Sequence, residues 1–220
     1  MGKVDDKSNE IPKVQELIEK FPAKNVIFRM DALHCQKKTI KKILKKDSFY
    51  VLQVKSNQKT LLKKIKFICE HSSIISSNIS EEKNRGRCEK REAAVYEEAL
   101  DLKHYWDDLK FIIKVKRVVK HNTGKKSKET AYFITNLDED AAFFNKGIRG
   151  HWGIENSLHY VKDVVFKEDR LRIRTKMAPQ NMSLLRTWVI NLLRLNGYSE
   201  IKKATRLLSG NVKLMASFLF

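Results

Sequence analysis

The chain has 220 residues, enough to bury a sizeable core in one large domain or two small ones. A hydrophobic fraction of 42% excludes a disordered chain, and a net charge of +19, from 45 Lys and Arg against 26 Asp and Glu, points to a polyanionic partner. No apolar run approaches the roughly 18–20 residues that cross a bilayer, and the polar start MGKVDDKSNE reads as neither a signal nor a transit peptide, which favours nucleic acid over a membrane surface.

Cys35, Cys69 and Cys88 are widely spaced and form no CxxC, which excludes a disulfide framework and a structural zinc site and suits a reducing cytosol. His151 and His159 share a helical face, but about 12 Å of helix axis separates them, too far to chelate one ion. There is no GxxxxGK[ST] and no GxGxxG, so nucleotide-driven chemistry has no support.

In chain order, residues 1–13 are polar and read as loosely ordered. Val14, Leu17, Ile18 and Phe21 space a short helix that ends near Pro22. Asn25 to Met30 is β-prone and predicts a buried strand with Asp31 at its carboxyl end, where ligand groups collect in α/β sheets. Lys37 to Lys46 predicts an amphipathic helix, Phe49 to Val54 a second buried strand, and Gln58 to Glu70 another helix. Helix, strand, helix, strand, helix with short connections predicts a parallel α/β layer.

The character changes near Ser72. Ser72 to Ser80 reads as a serine-rich, weakly apolar stretch, and Arg87–Tyr96, Phe111–His121 and Thr130–Thr135 as strands. Asn122-Thr123-Gly124 predicts the turn that pairs the last two. Glu97 to Trp106 reads as a helical or irregular connector. Period-two alternation in KVKRVVK predicts a basic exposed face on an antiparallel block inserted into the α/β unit. Arg85-Gly86-Arg87 opens that block as a backbone clamp or a charged turn. From Asp138 the chain reads as helical, through Asn181–Leu195 with an apolar stripe at Leu184, Leu185, Trp188, Leu192 and Leu195. The tail from Ser199 to Phe220 is predicted helical and weakly packed. The expected division is therefore 1–71 for the α/β core, 72–136 for the β-rich insertion and 137–220 for the helical segment.

The densest chemistry lies between Arg149 and Arg174. On a helix, Trp152, Glu155, His159 and Lys162 share one face, while Ile154, Leu158, Val161 and Val165 form a buried stripe. Arg170, Arg172, Arg174 and Lys176 follow as a cluster suited to phosphates. A packed carboxylate beside such cations suggests metal-assisted chemistry on nucleic acid, with Asp31 and Glu155 brought together from separate rigid elements. Oxygen ligands and phosphate substrates fit Mg²⁺ or Mn²⁺ rather than zinc. A strand-end Asp also serves as a helix cap, and Trp152 fits core packing as well as base stacking.

Several strings together resemble one family. MDALHCQ at 30–36 is similar to its second-aspartate motif, YVLQVKSNQKTL at 50–61 to its strand followed by Lys-x-Asn-Gln, and GRCEKR at 86–91 to its GRxExR. HWGIENSLHYVKDVVFKED at 151–169 resembles its glutamate-helix signature, and KSNEIP at 7–12 its lead-in to the first helix. The family is the ISAs-type, H-repeat-associated branch of bacterial insertion-sequence transposases, and the resemblance runs from Lys7 to about Leu195.

It implies an α/β, RNase H-like DDE domain with an antiparallel β-rich insertion before the catalytic-glutamate helix. It further implies Mg²⁺ (or Mn²⁺) as cofactor, double-stranded DNA (element terminal repeats and target) as partner, and cleavage and strand transfer as the reaction. A bacterial cytoplasmic, nucleoid-associated location and no membrane follow, and a homodimer is one option. Asp31 corresponds to the second catalytic, metal-binding carboxylate and Glu155 to the third. Arg149, His151, Trp152, Asn156, His159, Lys162, Arg170, Arg172 and Arg174 are the expected DNA contacts. Lys162 matches a lysine of related branches, although this branch more often has an apolar residue there, and Tyr160 stands where Trp is usual. The family's first catalytic Asp lies on a strand upstream of the KSNEIP string, and Asp5 and Asp6 do not match it. The expectation is thus an incomplete RNase H-like fold lacking its first strands, truncated and inactive alone, with a non-catalytic DNA-binding remnant as the alternative.

Overall fold

The computed structural model describes residues 7–84, 87–99, 102–154, 158, 160–211, 213 and 216. Its contacts divide the chain into two compact units, residues 2–147 and 148–220.

The first unit is built on a six-stranded sheet in the order β1-β2-β6-β5-β4-β3. Its strands are β1 (Ile27–Met30), β2 (Phe49–Val54), β3 (Ser76–Asn84), β4 (Arg87–Glu97), β5 (Phe111–His121) and β6 (Lys126–Thr135). β1 and β2 are parallel, joined across helix α2 (Lys37–Leu44), as the helix–strand alternation predicts. The sheet then turns antiparallel, because β6 pairs with β2 from Val51↔Thr135 to Val54↔Tyr132. The antiparallel strands thus continue the α/β layer as one mixed sheet.

Strand period decides which side chains meet. Tyr50, Leu52 and Val54 of β2 face the same way as Ile134, Ile112 and Tyr96, and this face carries the main core. Helices α1 (Lys7–Lys20), α2 and α3 (Lys59–His71) cover it through Ile18, Ile40, Ile43, Leu61, Ile65 and Ile68. Each such fully buried aliphatic side chain is worth about 1.5–3 kcal/mol relative to exposure. α1 starts at Lys7 and takes Pro12 inside it, so the segment read as loosely ordered is helical from Lys7 onward.

The serine-rich stretch is a strand, β3, and its alternation is reversed. Ser76, Asn78 and Ser80 are half-buried, whereas Ile79 is 60% exposed. The half-buried face is polar because it hydrogen-bonds a helix, α4 (Ala141–Ile154). Ala141 N donates to Ser76 Oγ at 2.9 Å, and Asn145 Nδ2 donates to Asn78 Oδ1 at 2.8 Å and to Ser80 Oγ at 3.2 Å. The turn between β5 and β6 holds Gly124 at φ +81°, a conformation that favours glycine. β6 starts at Lys126, four residues before the predicted Thr130.

In the second unit, α4 ends at Ile154 and a π-helical turn spans Val161–Val165 where a regular helix is predicted. Leu158, Val161 and Val165 nevertheless pack as the predicted stripe, against Ile190, Leu193, Ile201, Ala204 and Leu208 of α5 (Ala178–Leu195) and α6 (Ile201–Ser209). α6 therefore docks on α5, which corrects the reading of a weakly packed tail. The stripe read on α5 is also corrected: Leu184, Trp188 and Leu195 are 68%, 66% and 85% exposed, and Ile190 and Leu193 fill the core. Among the described residues, no helix is long and apolar enough to cross a membrane.

Candidate functional site

Asp31 stands one residue past β1, at the carboxyl end of the parallel pair. It caps a single 3-10 turn, Ala32–His34, and its Oδ1 accepts from Leu33 N at 3.0 Å. The carboxylate is exposed, and Oδ2 has no hydrogen-bond partner among the described residues. Capping and display are thus compatible: one oxygen fixes the turn and the other faces solvent.

The loop after Asp31 is held by the loop after β2. Asn57 Nδ2 donates to Ala32 O at 2.6 Å, and Gln58 Nε2 donates to Cys35 O at 2.9 Å. The two strings MDALHCQ and KSNQ, separate in sequence, are one structure in space. His34 and Cys35 anchor the turn from below, buried at 8% and 0% exposure. Burial pushes the Cys35 thiol up to about 12, so it is an inert core group rather than a nucleophile.

Arg29, two residues before Asp31, shares its face of β1 by strand period. Burial lowers its guanidinium's affinity for the proton, and its Nε is buried without a hydrogen-bond partner. Sequence reading passed over Arg29 because it stands inside an otherwise apolar strand. The available signal was a lone charge in that run two residues from the candidate ligand.

GRCEKR builds a different feature. Glu89 lies between two arginines, accepting from Arg91 Nε at 2.5 Å and from Arg117 Nη2 at 2.8 Å, with only 13% of its side chain exposed. Burial alone would raise its pKa, but the hydrogen bonds and charges of Arg117 and Arg91 outweigh that and hold it at about 2. Glu129 adds a contact at 3.7 Å to Arg117 Nη1. The motif thus braces β4 against β5 and β6.

Glu155, Asn156 and His159 lie outside the described residues. His151 and Trp152 fall within α4, with their side chains outside what is described. Arg149 is exposed on α4. Arg170 ends a 3-10 turn, Glu168–Arg170, and Arg172 and Arg174 continue on the irregular segment after it, all three exposed. Lys162 is placed differently: its side chain is 13% exposed, donates to Ser183 Oγ at 2.8 Å and lies 3.8 Å from Glu168 Oε2. The structure therefore gathers the Arg170–Arg174 cations on one short segment and turns Lys162 into its own unit. Among the described residues, no three His, Cys, Asp or Glu side chains converge on a metal-sized site.

Fold and site define a mixed α/β protein that displays a carboxylate at the end of a parallel strand in its first unit and carries a strongly basic second unit. The Transposase DDE domain family model matches residues 2–192, and the chain belongs to that family. "H repeat-associated putative transposase YhhI" of Escherichia coli (strain K12) is 34% identical over 205 residues, covering 87% of this chain and 53% of that protein. "Putative transposase YncI" of Escherichia coli O157:H7 is 35% identical over 201 residues, covering 87% and 52%. The chain spans about half the length of the curated relatives it matches. The crystal structure of Streptomyces venezuelae DesVI covers 63% of this chain and 80% of its own at a TM-score of 0.25 and 8% identity, a likeness that carries no argument. DDE transposase domains generally depend on a divalent metal, and transposases act on DNA.

Proposed function

We propose that the chain is the metal-binding and DNA-contacting part of a bacterial insertion-sequence transposase, with an RNase H-like core, acting by Mg²⁺-dependent cleavage and strand transfer at element ends. The observation that carries this reading is Asp31 itself, in its family motif, at the end of a parallel strand, with one oxygen fixed and the other presented to solvent. Residues 1–71 are then the α/β core, 72–136 the β-rich insertion and 137–220 the segment carrying the glutamate and the C-terminal helices.

A hard, exposed oxygen ligand on a rigid turn fits Mg²⁺ or Mn²⁺. Asp31 and Glu155 would hold the metal, which in such sites activates a water or 3′-hydroxyl and stabilises the leaving oxygen. The protein's own part is positional. Asn57 and Gln58 fix the turn that aims Asp31, and Arg29 adds positive charge on the same strand face. Arg149, His151, Trp152, Asn156, His159, Arg170, Arg172 and Arg174 are assigned to the duplex. Lys162 would have to leave Ser183 and Glu168 to join them.

A second reading, in which the chain by itself binds DNA without cutting it, is favoured by one observation: the family resemblance assigns two of the three carboxylates within these residues. Nicking of supercoiled plasmid by the purified chain in Mg²⁺ or Mn²⁺, with Glu155→Ala as control, separates the two. Metal-dependent nicking lost in the variant supports the catalytic reading. Salt-sensitive binding without nicking supports the second, and no binding at all would overturn both.

A further inference from the structure

The end of β3 and the start of β4 lie beside the end of β5 and the start of β6, at one end of the sheet. The register puts Lys83, Cys88, Lys120 and Lys126 on one rung across four strands, through Lys83↔Cys88, Cys88↔Lys120 and Lys120↔Lys126. Residues directly opposite share a face with Cβ atoms about 4.5–5.5 Å apart, so Lys120 and Lys126 hold two ammonium groups side by side. Lys128, two residues along β6, joins the same face. Like charges placed so destabilise a sheet.

Carboxylates are few beside them. From Lys114 to Lys128 the chain contains Lys116, Arg117, Lys120, Lys125 and Lys126 and no carboxylate. On this face of the neighbouring strands Glu81 and Glu92 lie 3.8 and 3.3 Å from Lys90 Nζ, while Glu82, Glu89 and Glu129 belong to the opposite face by strand period. Lys83, Lys120, Lys126 and Lys128 are exposed and have no ion pair among the described residues. A solvated basic face would spread its charge and interleave acids. Here the ammonium groups of Lys83, Lys90, Lys120, Lys126 and Lys128 share two successive rungs of one face with a single carboxylate, Glu81.

Strands lie about 4.8 Å apart, so four strand ends span about 14 Å, close to the roughly 12 Å width of the B-DNA major groove. We propose that this end of the sheet is a further contact for duplex DNA, in which Lys83 of β3, Lys120 of β5 and Lys126 and Lys128 of β6 neutralise phosphates on the two sides of a groove. The inference rests on the reading of the chain as a DNA-acting protein. Lysines that contact phosphates hold the backbone and carry no sequence information.

The test is fluorescence anisotropy of a labelled duplex with the full chain across a salt series. The variant is Lys83→Gln/Lys120→Gln/Lys126→Gln/Lys128→Gln. Four lost phosphate contacts, at about 0.9 each, should reduce the slope of log affinity against log salt by about 3–4. The thermal midpoint should stay level or rise, since the crowding is relieved. The control, Lys38→Gln/Lys45→Gln/Lys63→Gln/Lys66→Gln, removes the same charge from exposed positions on α2, its C-cap and α3 and should change the slope by less than about 1. An unchanged slope in the hairpin variant, or an equal loss in the control, would overturn the inference while wild-type binding keeps the DNA reading intact. A wild-type chain that binds no duplex, or whose hairpin lysines matter only for single-stranded RNA, would overturn it too, the former together with the functional reading.

Discussion

Asp31 owes its pose to side chains that never approach its carboxylate. Asn57 and Gln58 tie down the carbonyls of Ala32 and Cys35, so Asn57→Ala should cost about 1–2 kcal/mol and speed amide exchange at Leu33, read by hydrogen exchange. Unchanged exchange at Leu33 would mean that the turn holds itself. Glu89 makes a pH prediction. Its pKa is depressed in the folded state, so its stabilisation is full above the ordinary carboxylate range and fades as pH falls from about 4 to about 2. After solvent screening this is worth about 1–2 kcal/mol, and Glu89→Gln should flatten that limb of the acid unfolding curve. A variant curve parallel to wild type throughout would contradict it. Asp31 was legible because a motif and a strand end coincide there. The Glu89 brace was not, because its partner Arg117 sits on another strand and nothing local announces the pairing.

Among the elements, β1, β2 and the helices between them follow from apolar runs of the right length flanked by polar breaks. β3 escaped because strand reading assumes apolar-in and polar-out, and here Ser76, Asn78 and Ser80 face a helix while Ile79 faces solvent. Asn145 is the reason for that reversal. Asn145→Ala should leave the amide of Asn78 and the hydroxyl of Ser80 without their helix partner and cost about 1–3 kcal/mol in urea unfolding. A neutral result would reassign α4 docking to buried Phe144 and the Ala141–Ser76 hydrogen bond. On α5 the periodicity marked the right helix and the wrong face, since a long helix rich in Leu offers more than one apolar stripe. The structure expects Leu193→Ala to cost about 2–4 kcal/mol and Leu195→Ala no more than about 0.5 kcal/mol, a contrast that thermal unfolding resolves.

Over the whole molecule, charge was the most legible property and its distribution the least. A net charge of +19 announces a polyanion from composition alone. Only the strand register shows that part of it is crowded onto one end of the sheet. The family, too, was legible in strings whose spatial meaning needed the fold: Asp31, Asn57 and Gln58 are spread over two motifs and form one turn. Asp31 and Glu155 are proposed to share one metal. This is tested most directly by titrating the full chain with Mn²⁺ and following water-proton relaxation, in wild type, Asp31→Asn and Glu155→Gln. A shared metal gives a bound-Mn²⁺ signal in wild type that either substitution abolishes, with thermal midpoints in the absence of metal unchanged. Wild-type Mn²⁺ binding retained in both variants would show that the two carboxylates do not share a metal.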